Sequence, residues 1–311
     1  MNWLKAKLQT FGVEIEMNNI RRQDAARIAA EFFGTNDYQY TGGGYMTWSA
    51  VDDRGREWKF ARDVSISGPD DCKCEMVTPI LRYDDDMEML QELVRVLRRA
   101  GAVSHWGQGC GVHIHIGVDK DKPNGHDGRS LRNLMNLMAS KEELLIKSVG
   151  ISEFRLNRYC KRVNRRLLEA LKSEKPKTVE DMQALWYRVN GGNPNQHYDS
   201  SRYRMLNYHS IGRTKTIEFR LFQFDVPDGD KKNGLHAGAL KSYIQLCLAM
   251  SQEAKDSKTI SAAPVQLENE KFAMRTWMNR MGMIGEEFAT AREIFGRKLT
   301  GDAAFRYGRP Q

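Results

Sequence analysis

Apolar and chemically active positions alternate along four short stretches of the chain. Val13, Ile15 and Met17 alternate with Glu14 and Glu16. Val112, Ile114 and Ile116 alternate with His113 and His115, between Gly111 and Gly117. Ile217, Phe219 and Leu221 alternate with Thr216, Glu218 and Arg220. The fourth stretch is Cys74-Glu-Met-Val-Thr-Pro79. A period of two predicts strands with one face to a core and one bearing carboxylates, imidazoles and a guanidinium. Trp58–Ile66, Cys74–Ile80, Tyr203–Tyr208 and Thr214–Phe224 read as strands. Asp63 then joins the polar parity of its strand, and Ile211-Gly-Arg213 forms a turn. Thr41-Gly-Gly-Gly-Tyr45 reads as a tight turn between strands, because it lacks phosphate-loop spacing.

Helical spacing marks Arg21–Phe33, stopped by Gly34, and Asp84–Arg99, with Asp84, Asp85 and Asp86 at its positive end. It also marks Leu131–Val149 with Ser130 as N-cap, Arg155–Leu171, Val179–Tyr187 and Lys232–Met250. Pro123–Gly128 reads as a loop and Ala254–Pro264 as a linker before a helical appendix with a basic tail. Strands and helices alternate irregularly, which predicts an α+β fold: an antiparallel sheet backed by helices.

The 311 residues are 41% hydrophobic, enough to bury a substantial core. No apolar run is long enough to span a bilayer, and the start of the chain carries no secretory pattern. The five cysteines, Cys72, Cys74, Cys110, Cys160 and Cys247, are odd in number and sparse. Reduced thiols and cytoplasmic residence are the expectation. Net charge is +8. Arg155, Arg158, Arg162, Arg165 and Arg166 gather on one expected helix face, with Lys161 in the same segment. A solvated face accounts for them better than nucleic acid does, since Tyr159 alone interleaves and no nucleic-acid module is present.

Glu14 and Glu16 stand about 7 Å apart along one strand face, from roughly 3.3 Å per residue. Close carboxylates resist joint ionisation unless a cation neutralises them. Two glutamates bent into water would explain this pair equally well. His113 and His115 suit a metal or phosphate contact, or a pair of satisfied, part-buried histidines. The companion groups are mostly carboxylates, which favour magnesium or manganese over zinc. Glu218 and Arg220 read either as an internal ion pair or as part of a site. One metal–phosphate site covers all these strands, where duller explanations must be found separately for each.

These residues resemble a family. Phe-Gly-x-Glu-x-Glu, Asp63-x-Ser65 with Glu75-x-x-x-Pro79, Gly-x-His-x-His-x-Gly, Arg158-Tyr159, Tyr203-x-x-x-Asn207 and Thr-x-Glu-Phe-Arg are similar to the amidoligases of the glutamine synthetase and glutamate–cysteine ligase superfamily. The resemblance spans about residues 10 to 250. It implies a catalytic domain over residues 1–250, followed by the appendix over 251–311. It implies a funnel-like antiparallel sheet that binds ATP and magnesium, with manganese as a substitute. Glu16 and Glu75 would hold one metal, with Asp63 contributing. Glu14, His113 and Glu218 would hold a second, and His115 would contact nucleotide phosphates. Arg220, with Arg204 or Arg202, would stabilise the moving phosphoryl group, and Glu218 is grouped with them in catalysis. Arg158, Tyr159 and Asn207 would lie towards the substrate. The activity implied is ATP-dependent joining of a carboxylate, on an amino acid, peptide or protein, to an amine. The basic residues of the Arg155–Arg166 segment tilt the partner towards an acidic peptide or protein. The same groups would also serve a metal-dependent phosphoesterase or nuclease, or a non-catalytic nucleotide-binding module.

Overall fold

The computed structural model describes residues 3–122, 124–227, 234–265 and 268–307. Pro123 of the expected loop, Lys232 at the expected helix start and the last four residues of the basic tail lie outside them. The chain divides into two compact units: Thr10–Ile114 with Phe222–Lys241, and Met1–Gln9 with His115–Leu221 and Ser242–Gln311. We call them the sheet unit and the helical unit.

The sheet unit contains β1 (Thr10–Met17), β2 (Tyr38–Gly42), β3 (Thr47–Val51), β4 (Glu57–Ala61), β5 (Cys74–Val77) and β6 (Leu81–Arg82). Its strand order is β2-β3-β4-β5-β1, continuing to β7 (Val112–Gly117), with β6 also on β1. The registered pairings within it are all antiparallel. Val13, Ile15 and Met17 of β1, Cys74 and Met76 of β5, and Trp58 and Phe60 of β4 are all essentially inaccessible. That is one parity of each strand, so the other parity carries Glu14, Glu16 and Glu75.

Two helices complete this unit. α2 (Arg22–Phe33) packs on β3 and β4, and the Phe33 and Trp58 rings lie 5.2 Å apart. Gly34 ends α2 at φ 75°, and the Thr35 amide reaches back to the Ala30 carbonyl. A left-handed C-cap of this kind is where glycine is favoured. α3 (Tyr83–Arg99) buries Met87, Leu90, Leu93, Val94 and Leu97, the stripe its sequence predicts. Asp86 is not a solvated dipole charge. It is buried, accepts from the Arg82 amide at 2.7 Å, and pairs with Arg56 at 2.9 Å and Arg54 at 3.2 Å.

The helical unit opens with α1 (Trp3–Ala6) and orders β7-β9-β8, where β8 is Leu206–Asn207 and β9 is Thr216–Phe222. β8 and β9 pair antiparallel. Around these strands lie α4 (Gly128–Val149), α5 (Glu153–Arg158), α6 (Arg165–Glu174), α7 (Val179–Asn190) and α8 (His209–Thr214). α9 (Ala237–Asp256) belongs to this unit from Ser242 onward, and α10 (Glu270–Arg280) and α11 (Ala289–Gly296) follow. α4 packs on α7, α6 and α11, and α10 packs on α11. The fold is α+β, a nine-strand antiparallel sheet backed by helices. No helix among the described residues is long and apolar enough to cross a membrane.

Several expected boundaries move for local reasons. α4 starts at Gly128, because Asp127 caps it: the Ser130 amide donates to Asp127 and the Asp127 amide to Ser130 Oγ, at 2.7 and 2.9 Å. The single helix expected over Arg155–Leu171 is two, since Asn164 accepts the Arg166 amide and caps a new one. The strand expected to reach Ile66 ends at Ala61, and that expected over Tyr203–Tyr208 is only Leu206–Asn207. Residues expected to turn at Ile211 lie inside α8.

Candidate metal and phosphate site

The polar parity of β1 and β5 meets across the sheet unit. Their register sets Glu16 directly opposite Glu75. Like charges facing each other across two strands destabilise a sheet unless something neutralises them. Carboxylate oxygens of Glu16, Asp63 and Glu75 lie within 4.8 Å of one another, and so do ligand atoms of Glu14, Glu75 and His113. His113 is 4% exposed and sits between the β1 glutamates. Its Nδ1 is 2.9 Å from Glu14 Oε2, and its Nε2 is 3.8 Å from Glu16 Oε1. The Gly111 amide donates to Glu16 Oε2 at 2.6 Å. Four carboxylates and one imidazole form an oxygen-rich donor set, which fits magnesium or manganese.

Asp63 reaches this group from a loop rather than from a regular strand. Its Oδ1 accepts the Ser65 amide at 2.7 Å. Asn18 Nδ2 holds the loop through the Ser67 carbonyl and Gln108 Oε1, at 3.0 and 3.1 Å. The Ser67 amide also donates to the Gln108 carbonyl at 3.0 Å. Gly109 has φ 75°, and a Cβ there would stand 3.0 Å from the Ser65 carbonyl oxygen. Sequence reasoning missed these supports. The available signal was the glycine-dense Gly107–Gly111 run immediately before the histidine strand.

A second group of expected residues lies in the helical unit. Glu218 and Arg220 form a buried ion pair. Glu218 Oε2 also accepts from Asn207 Nδ2 at 2.6 Å, and Asn207 Oδ1 accepts the His209 amide at 2.8 Å. Asn207 therefore fixes the glutamate. Arg155 Nη2 donates to the Arg220 carbonyl at 3.3 Å. His115 Nδ1 lies 2.8 Å from Thr216 Oγ1.

The Tyr203 ring carries the guanidinium of Arg202 at 5.6 Å and that of Arg220 at 5.7 Å. Tyr159 meets Tyr203 edge to face at 6.4 Å, and Arg158 lies 5.9 Å from the Tyr159 ring centre. Arg204 donates to the Arg162 carbonyl at 2.9 Å, and burial lowers its pKa. The Nε atoms of Arg202 and Arg204 are buried without a hydrogen-bond partner among the described residues. Planar guanidinium groups braced against rings and carbonyls suit a phosphate or carboxylate.

The expected basic helix face is not continuous. Arg155 is buried, and Arg162 is ion-paired to Glu143 and lies 3.5 Å from Glu142. The chain belongs to the amidoligase family: residues 7–251 match the model described as "Putative amidoligase enzyme". No curated protein matches its sequence. In structure it is similar to a bifunctional glutathione synthetase from Pasteurella multocida, at 12% identity and a TM-score of 0.46. The likeness covers 94% of this chain and 48% of that one, so this chain spans about half of that protein's length. Likeness at that level decides nothing about chemistry.

Proposed function

We propose that the protein is an ATP- and magnesium-dependent carboxylate–amine ligase with a glutamine-synthetase-like funnel. Residues 1–250 form its catalytic domain and 251–311 its helical appendix. Family membership supports the reading of a C–N ligase. The observation that carries the metal dependence is the facing pair Glu16 and Glu75, joined by Glu14, Asp63 and His113.

A carboxylate is a poor electrophile because it has no good leaving group. Its oxygen attacks the γ-phosphorus of ATP, the bond to the β-phosphate oxygen breaks, and ADP leaves. An amine then attacks the acyl phosphate, phosphate departs, and the amine's proton passes to a base. Glu16 and Glu75, with Asp63, would hold one magnesium, and Glu14, His113 and Glu218 would hold a second. Bound there, magnesium would supply positive charge against the phosphates. Arg220, held by Glu218 and by the Tyr203 ring, meets charge spreading over the phosphoryl oxygens, with Arg204 or Arg202 beside it. His115 is a phosphate contact, and Arg158, Tyr159 and Asn207 belong to the substrate side. The substrate is a carboxylate on an amino acid, peptide or protein.

The test is release of ADP that requires both a carboxylate and an amine. Glu14→Ala and Glu75→Ala should abolish it. Full turnover in either variant, or ATP-independent cleavage of nucleic acid by the same site, would replace the ligase with the hydrolase reading.

A further inference from the structure

A groove of about 660 Å³ crosses the helical unit between α4, α6 and residues 259–263. Arg132 of α4, Lys172 of α6 and Lys175 just past α6 line it, against the single lining carboxylate Glu169. Among the described residues, none of these three cations makes a side-chain hydrogen bond or an ion pair. The neighbouring Glu174 is engaged elsewhere, by Arg188. Lys172 and Lys175 lie near the C-terminal end of α6, where helix carbonyls favour positive charge. Arg132 lies towards the N-terminal end of α4 and gains nothing from its own helix.

The third wall is the segment 259–263. Residues 259–263 run outside any helix or strand, and Thr259, Ser261 and Ala263 are exposed. The segment is tied down from its α4 side. Asn136 Nδ2 donates to the Ile260 carbonyl at 2.9 Å, and the Ile260 amide donates to Asn133 Oδ1 at 3.2 Å. The Val265 amide donates to the Ser140 carbonyl at 3.2 Å. The small side chains of Ser261, Ala262 and Ala263 on a segment held in place let another main chain approach closely. The apolar lining is aliphatic, from Leu168, Leu171 and Ile260, with no aromatic ring. Single-stranded nucleic acid is held by rings on which bases stack, so its charge alone would be met here.

We propose that this groove docks an extended, acidic segment of a protein partner. Its main chain lies along residues 259–263 and its carboxylates meet Arg132, Lys172 and Lys175. The docking needs neither nucleotide nor metal, so it stands or falls separately from the ligase reading.

The experiment is fluorescence anisotropy on the full chain with a labelled peptide of six glutamates. A glycine–serine peptide and a six-nucleotide thymidine strand serve as comparisons. The glutamate peptide should bind, more weakly as salt rises, and the glycine–serine peptide should not. Arg132→Glu/Lys172→Glu/Lys175→Glu should weaken binding at least tenfold. Lys5→Glu/Arg166→Glu/Arg275→Glu makes the same change in net charge on exposed residues elsewhere and should change binding less than twofold. Undiminished binding in the groove variant overturns the proposal, as does equal loss in both variants. No peptide binding by the wild type, or tighter binding of the nucleotide strand than of the peptide, also overturns it.

Discussion

Removing one acid from the sheet unit should make the metal-free protein more stable. Glu75 faces Glu16 across the β1–β5 pair, and Asp63 is the third member of that group. At a separation of 4.8 Å and an effective dielectric of about 20, two full charges repel by about 3.5 kcal/mol. Glu75 and Asp63 are part-exposed, and solvent screening reduces the net repulsion to about 1 kcal/mol. Glu75→Gln keeps the shape and removes one charge. Urea unfolding in chelator should therefore show the variant more stable than wild type by about 1 kcal/mol. Magnesium should reverse the order. A ligand that binds only the folded state adds about 2.7 kcal/mol at a hundred times its Kd, and the variant should lose most of that gain. If Glu75→Gln destabilises the metal-free protein and magnesium stabilises both proteins equally, the carboxylates are structural and the reasoning fails.

Three other outcomes follow from the same structure. Gly109→Ala would force a left-handed backbone and crowd the Ser65 carbonyl, displacing the loop that carries Asp63; magnesium affinity measured by calorimetry should drop about tenfold, and unchanged affinity would separate that loop from the metal. Asp52 is buried and accepts from Trp58 Nε1, Arg56 Nε and the Arg54 and Arg56 amides, so Asp52→Ala should cost about 3–5 kcal/mol in urea unfolding; a cost under about 1 kcal/mol would contradict that. His126 lies fully buried between Ser130 and Ser251, and burial holds its pKa well below the usual range, with Lys255 and Arg129 adding to the effect. The unfolded chain takes up a proton below about pH 6.5 that the folded chain refuses, so stability is lost as the pH is lowered, by up to about 1.4 kcal/mol per unit. His126→Gln should show a shallower slope between pH 6.5 and 5, and equal slopes would refute the assignment.

What the sequence makes legible is whatever repeats with a period. Alternation in β1 and β7 places Glu14, Glu16 and His113 on one parity, and the helical stripe of α3 and the stop at Gly34 need nothing from elsewhere in the chain. The register that sets Glu16 against Glu75 depends on how the intervening chain closes, and no local pattern encodes it. Asp63 illustrates the same limit. Strand parity puts it on the polar face and the family resemblance makes it a ligand, but β4 ends at Ala61, and the carboxylate is presented by a loop that Asn18 and Gln108 hold from distant parts of the chain. The break between α5 and α6 was readable in principle at Asn164, a good capping residue, but arginines on both sides sustained the helical period through it. Asn207 carries no periodic signal, and only the pairing of β8 with β9 brings it to Glu218.

The central claim is that the acidic face of β1 and β5 loads magnesium for a nucleotide. Calorimetric titration with a non-hydrolysable ATP analogue, with and without magnesium, tests it most directly. The account predicts binding that requires magnesium in the wild type and disappears in Glu14→Ala/Glu75→Ala. Binding that ignores magnesium, binding that survives the double substitution, or none in the wild type would contradict it.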